Sequence, residues 1–191
     1  MITLITGPMK SGKSTEMYRQ MERKHLAGKK VLYIGPSLDN RDFYARGIPK
    51  SRLQEVADVI VLTDWCKLSN TKLKDILNNY DSIFIDEYFM IKHNVRICKI
   101  LPDDNNHKCD IYFGGLIADA NAKTWPEYLE ISPYCDEIIK LSAVCEDCGS
   151  EHANYSAFMG DLKEGEIIVG DTQYKALCRK CFLKRMELNG D

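Results

Sequence analysis

A short apolar run, Ile-Thr-Leu-Ile-Thr at residues 2–6, leads directly into Gly-Pro-Met-Lys-Ser-Gly-Lys-Ser at residues 7–14. The string is G-x-x-x-x-G-K-[ST], with Gly7, Gly12, Lys13 and Ser14 at its fixed positions, and it restricts the fold more than any other feature. Its glycines let consecutive backbone N–H groups wrap around phosphate oxygens. Lys13 is then placed to bridge the β- and γ-phosphates, and the Ser14 hydroxyl to ligate Mg²⁺. Such a loop opens a helix, whose N-terminal dipole favours the bound anion. Met17 and Met21 stand at helical spacing ahead of Gly28 and supply that helix. Gly7, Pro8, Met9, Lys10, Ser11, Gly12, Lys13, Ser14 and Thr15 are therefore the expected triphosphate-binding loop. The alternative is a chance match in a strand-to-helix turn; the strand before the loop and the amphipathic stretch after it weigh against that.

Further apolar runs at 31–35, 59–62, 82–86, 111–114 and 138–141 read as buried strands, with helical patterns at 14–27, 68–77 and 95–101 between them. Alternation of this kind makes a mainly parallel sheet with helices on its faces, the α/β class. The fourth run ends in Asp86 and Glu87, where a P-loop protein sets an Mg²⁺-associated aspartate beside the triphosphate. Asp86 is the Mg²⁺ candidate, the plain alternative being a helix cap or a solvated strand end. Glu87 is available as a general base. The oxygen it would activate belongs to water or to a substrate hydroxyl, and local sequence does not separate hydrolysis from transfer. Residues 39–51 are charged and aperiodic and read as a mobile loop closing over ligand. Residues 117–126 are also aperiodic and follow the fifth run, at the carboxyl end of the sheet where ligands bind.

The 191-residue chain, 45% hydrophobic and 28% charged, has the composition of one soluble domain with a small appendage. Its net charge of -2 gives no general attraction to nucleic acid or anionic membrane, although Lys10/Lys13 and Arg179/Lys180/Lys184/Arg185 form local basic clusters. No apolar run approaches the roughly 20 residues that span a bilayer, and no leader precedes the first strand, so the expected setting is cytoplasmic. Eight cysteines include two Cys-x-x-Cys pairs, Cys145/Cys148 and Cys178/Cys181, separated by 29 residues. Two such knuckles supply four thiolates for tetrahedral Zn²⁺, leaving no open position for catalysis, so the expected metal is structural. A disulfide or redox pair is the alternative, disfavoured where no secretion signal is seen. His152 is a nearby spare ligand. Cys66, Cys98, Cys109 and Cys135 read as small buried hydrophobes. From Cys145 onward turn residues and short β runs such as 167–169 replace the earlier alternation. The expected division is a nucleotide-binding domain over 1–141 and a zinc-binding domain over 142–191.

With these motifs in this order the chain resembles the type II thymidine kinases, the zinc-containing deoxynucleoside kinases. The resemblance spans essentially the whole chain. It rests on Gly-Pro-Met-x-Ser-Gly-Lys-Ser, on Asp39-x-Arg41, on Ile-Asp86-Glu87, on Lys140-Leu-x-Ala-Val-Cys145-x-x-Cys148, and on Val169-Gly170-x-x-x-Tyr174-x-x-x-Cys178-Arg179-x-Cys181-Phe182. It implies a RecA-like P-loop domain joined to a small zinc domain whose long connection, the lasso, wraps the nucleoside. It implies transfer of the γ-phosphoryl of ATP to the 5′-hydroxyl of thymidine, with deoxyuridine the close alternative, in deoxynucleotide salvage for DNA synthesis. Glu87 falls in the family's catalytic-base position and Arg41 at a basic residue of the phosphate site. Leu116, Asp119, Trp125, Tyr155, Ser156, Val169, Gly170, Asp171 and Tyr174 fall around the nucleoside. The plain reading of Tyr155 and Tyr174 is as core aromatics of a small β domain, and of Arg41 as a solvated charge. The resemblance also implies a homotetramer and feedback inhibition by dTTP, with neither membrane nor nucleic acid as partner.

Two departures fall around the nucleoside pocket. The family's Leu-Asp-x-x-Phe is here Leu116-Ile-Ala-Asp119-Ala120, so an aromatic is replaced by Ala120, and a Pro-Phe pair becomes Thr124-Trp125. The family's Asp-Glu-x-Gln-Phe is Asp86-Glu87-Tyr88-Phe89-Met90, with Phe89 at the glutamine. Phosphate-side residues are intact. The rivals are a zinc-ribbon ATPase stimulated by nucleic acid and a non-catalytic nucleotide-binding relative.

Overall fold

The computed structural model of the chain describes residues 1–36, 43–45, 48–100, 109–160 and 173–188. Strand β1 (Ile2–Thr6) feeds the glycine-rich loop and helix α1 (Lys13–Leu26), and β2 (Val31–Gly35) follows. Next come β3 (Phe43–Ala45), β4 (Ile48–Pro49), α2 (Lys50–Val56), β5 (Asp58–Val61), α3 (Asn70–Asn79), β6 (Ser82–Ile85) and α4 (Val95–Ile100). The larger part closes with β7 (Asp110–Gly115), α5 (Pro126–Ile131) and β8 (Glu137–Lys140). Six strands form one sheet in the order β5-β2-β6-β7-β1-β8, every neighbour parallel. This is the α/β architecture expected from the alternating pattern.

Period-two alternation divides the core between the two sheet faces. Leu4, Leu32, Ile34, Ile83, Ile85, Ile111 and Phe113 point to one face, where Leu73 and Leu77 of α3, Ile97 of α4 and Ile131 of α5 cover them. Ile5, Val31, Tyr33, Phe84 and Tyr112 point to the other, under Met17 and Met21 of α1 and Leu53 and Val56 of α2. Phe84 and Tyr112 stack on adjacent strands at 4.4 Å. Leu4 and Ile5 are fully enclosed on opposite faces, so truncating either to alanine costs about 2–5 kcal/mol.

Local signals set the element ends. Helix α1 closes where Gly28 turns left-handed at φ 71 and its N–H donates to His25 O at 2.9 Å. Helix α3 opens on Ser69, whose Oγ accepts from Lys72 N–H at 3.2 Å. Three expectations change. The runs read as buried strands at 59–62 and 138–141 form the sheet's two edge strands, which leave Val59, Val61 and Ile138 exposed. Within the stretch read as loop, β3 and β4 pair antiparallel and α2 begins at Lys50; strands of two or three residues are too short to show periodicity. Cys66 is exposed, because in the single 3₁₀ turn over Trp65–Lys67 the inward position goes to Trp65, which is fully buried. The short run at 167–169 lies outside the described residues.

The C-terminal part pairs β9 (Ala153–Phe158) with β10 (Tyr174–Cys178), antiparallel, and α6 (Arg179–Leu188) packs on both. It has its own small cluster of Ala143, Ala153, Ala157, Ala176, Leu177 and Phe182, with Tyr155 stacked on Phe182 at 4.4 Å. Among the described residues no helix is long and apolar enough to cross a membrane.

Candidate active site

Parallel strands bring their carboxyl ends to one edge of a sheet, and ligands bind in the crevice outside that edge. Four neighbouring strands deliver the predicted site here: β6 ends at Asp86 and Glu87, β7 at the 116–125 connection, β1 at the phosphate loop and β8 at Leu141.

The phosphate loop folds as its glycines require. Gly12 sits at φ 86, and helix α1 starts on the next residue. Gly7 packs so closely on β8 that an added Cβ would lie 2.5 Å from Leu141 O. Lys13 is buried and its ammonium donates to Pro8 O at 2.7 Å, folding the lysine over its own loop. The Ser11 hydroxyl is buried with no hydrogen-bond partner, and a phosphate oxygen would satisfy it. These features fit a bound triphosphate. Lys10 differs from its neighbours, since its ammonium donates to both Glu146 oxygens, at 2.9 and 2.8 Å, and to Tyr174 O at 2.9 Å.

Asp86 is buried at the end of β6. Tyr33 donates its hydroxyl to one carboxylate oxygen at 3.2 Å, and Glu87 N–H donates to the other at 3.0 Å. A Cβ on Gly114 would lie 2.9 Å from Met17 Cε and 3.2 Å from Asp86 Oδ1, so only glycine on β7 lets the carboxylate approach the first turns of α1. A buried carboxylate there suits Mg²⁺ held together with Ser14. Glu87 itself is held at φ 46, ψ 47, the left-handed region.

A cavity of about 210 Å³ opens between the phosphate loop and the zinc-type hairpin. Gly7 and Pro8 form one wall, Leu116, Asp119 and Thr124 a second, and Lys140, Asn154, Tyr155 and Ser156 a third. Of the predicted nucleoside residues it gathers Leu116, Asp119, Tyr155 and Ser156. Asp119 also braces its own turn, with Oδ1 accepting from Asn121 and Lys123 N–H at 2.9 and 2.8 Å. Neither Trp125 nor Tyr174 is in the wall. Trp125 stacks on Phe89 with ring centroids 5.1 Å apart and planes 20° from parallel, and Tyr174 meets Phe158 edge-on at 5.2 Å. Arg41, Val169, Gly170 and Asp171 lie outside the described residues. Lys140 and Asn154 were not expected in the site. Lys140 stood inside a quoted string without a role, and nothing local marked Asn154.

Cys145, Cys148, Cys178 and Cys181 converge, each sulfur within 4.8 Å of the others, and Cys148 Sγ lies 3.7 Å from Cys178 Sγ. Tetrahedral Zn–S bonds place sulfurs roughly 3.8 Å apart, so the four thiols fit zinc. Ligands come from the knuckle before β9, from the end of β10 and from the first turn of α6. His152 is not part of the cluster.

The family model for thymidine kinase matches residues 1–182. The chain belongs to the thymidine kinase family. It is 32% identical to the thymidine kinase of Vaccinia virus (strain Western Reserve) over 188 residues, covering 95% of this chain and 96% of that protein. It is 34% identical over 185 residues to the thymidine kinase of the bacterium Pseudothermotoga lettingae, with 96% and 95% covered. The thymidine kinase of Monkeypox virus is 32% identical over 185 residues, with 95% and 96% covered. Within this thymidine kinase framework the two departures meet in space, since Phe89 is the residue that stacks on Trp125.

Proposed function

We propose that this chain is a thymidine kinase that transfers the γ-phosphoryl group of Mg-ATP to the 5′-hydroxyl of thymidine, with deoxyuridine the alternative acceptor. One observation carries it: Gly7 and Pro8, which begin the phosphate loop, also wall the cavity that collects Leu116, Asp119, Tyr155 and Ser156. A nucleoside there shares a wall with the triphosphate, the arrangement in-line transfer needs. Mg²⁺, held by Ser14 and Asp86 when bound, would neutralise charge on the β- and γ-oxygens. Phosphate contacts fall to the backbone of the Gly7–Thr15 loop, to the Lys13 ammonium and to Arg41, and the Lys10 side chain is turned to Glu146. Glu87, held beside buried Asp86, accepts the proton of the attacking hydroxyl. Val169, Gly170 and Asp171 are the further nucleoside contacts that the family resemblance implies, whereas Trp125 and Tyr174, set against Phe89 and Phe158, support the wall from behind. Cys145, Cys148, Cys178 and Cys181 would hold Zn²⁺, which would then fix the hairpin that carries Tyr155 and Ser156 and, with all four positions filled, take no part in the chemistry. The separate hydrophobic cluster starting at Ala143 supports a division into 1–141 and 142–191. Family membership supports a homotetramer, inhibition by dTTP and a cytoplasmic setting.

A coupled assay of ADP release with Mg-ATP and each of the four natural deoxynucleosides tests the function. Release driven by thymidine is expected. Stimulation by single-stranded DNA alone, or nucleotide binding without phosphorylation of any nucleoside, would reject it.

A further inference from the structure

The fourth residue of the phosphate loop, Lys10, is tied to structures outside the loop. An ammonium group has three N–H donors and no acceptor. Three acceptors engage it here: both carboxylate oxygens of Glu146 and the carbonyl of Tyr174. The two oxygens of one carboxylate lie in nearly one direction from the nitrogen, so Glu146 and the Tyr174 carbonyl together hold the ammonium on the hairpin side. The Lys10 backbone lies at φ 64, a conformation lysine adopts only where surrounding contacts over-determine it.

Glu146 stands between the first two cysteines of the zinc-type cluster. Its Oε1 also accepts from Ala176 N–H at 2.7 Å, and its own N–H donates to Ala176 O at 3.0 Å. The knuckle is thus bonded along β10, and Lys10 bonds to the first residue of that strand. One residue earlier in the loop, Met9 N–H donates to Ser156 Oγ at 2.8 Å, so both strands of the hairpin are tied to the phosphate loop.

We propose that Lys10 and Glu146 are a positioning pair that fixes the start of β10, and with it the nucleoside-enclosing hairpin, to the phosphate loop. Lys10 then serves the acceptor side of the reaction rather than ATP. Lys13, five residues from the carbonyl it caps, keeps the phosphate role. The pair presupposes the nucleoside kinase function, because only an acceptor site gives the hairpin's position a catalytic meaning.

Lys10→Met and Glu146→Gln keep side-chain size and remove the charges. Both partners are about one-third exposed, 39% and 34%, so each single change is expected to raise the thymidine KM only about five-fold. The ATP KM and kcat should stay within about two-fold, and zinc content should remain one per chain. The double variant should be no worse than the worse single, since one contact cannot be lost twice. Lys10→Arg, which retains the donors, should restore the thymidine KM. A rise in ATP KM alone, multiplicative effects in the double variant, or zinc loss from Glu146→Gln would each overturn the pair. If wild-type protein phosphorylates no nucleoside, the kinase function itself fails, and the pair is judged by amide hydrogen exchange over 174–178. Both variants must accelerate that exchange; unchanged exchange overturns the pair independently of activity.

Discussion

Glu87, the proposed base, stands on an uncommon backbone. A non-glycine residue in the left-handed region costs about 1–2 kcal/mol, and here the cost falls directly after buried Asp86, whose carboxylate accepts the Glu87 N–H. Replacing Glu87 by Gln preserves shape while removing the proton acceptor. The expected result is a fall in kcat of about 10²–10⁴, with ATP affinity by calorimetry changed less than about two-fold. A fall smaller than tenfold would remove Glu87 from the base role. Residues of this kind were legible because a buried strand ending in two acids after a P-loop has few uses. The supports were not. Tyr33 reaches Asp86 across 53 positions, and Asn94 joins Trp65 to the carbonyls of Tyr88 and Ile91, contacts that no local pattern encodes. Ala120 and Phe89 each stood out as a departure, but only the fold shows Phe89 set against Trp125.

At the scale of elements, the six strands of the sheet and helices α1, α3 and α4 were visible in their apolar runs and helical spacing, whereas β3, β4, α2, α5 and the C-terminal β9, β10 and α6 were not. Helices α2 and α5 have seven and six residues, fewer than two turns, so their positions come from packing against the sheet. The C-terminal hairpin is the clearest case of an element that cannot hold itself. Four of the buried residues in its cluster are alanines, and each removes little apolar area from water. Metal–thiolate bonds at the four cysteines would supply what the core does not. Stripping zinc with a chelator should leave the six-stranded sheet folded by circular dichroism, expose 142–188 to trypsin and abolish thymidine turnover. Readdition of Zn²⁺ should restore both protection and turnover. Activity that survives complete zinc removal would separate the hairpin from the acceptor site.

Across the whole molecule, stability is concentrated in the larger cluster on the α3–α4–α5 face, and that cluster contains two thiols. Burial pushes Cys98 and Cys109 up to about 12 from the ordinary 9.0. Both are therefore neutral in the folded protein well above neutral pH, whereas the unfolded chain releases their protons near pH 8.5–9. Groups whose pKa is raised by folding contribute stability that is complete below the unfolded value and is lost as pH rises toward the folded one. The window runs from about pH 9 to 12, and each thiol removes about 1.4 kcal/mol per pH unit within it. Two thiols together remove about 2.7 kcal/mol per unit, a large share of the 5–15 kcal/mol of a typical domain. Urea unfolding at pH 8, 9 and 10 measures the decline. Tyrosines and lysines also titrate as the pH climbs, so the decisive quantity is the difference in slope between wild type and Cys98→Ala. The alanine variant starts less stable at pH 8 because it leaves a cavity. Above pH 9 its stability should fall less steeply by about 1.4 kcal/mol per unit. Parallel slopes would mean that Cys98 ionises as readily in the folded core as in the open chain, which its place among Leu73, Ile97 and Ile131 does not allow.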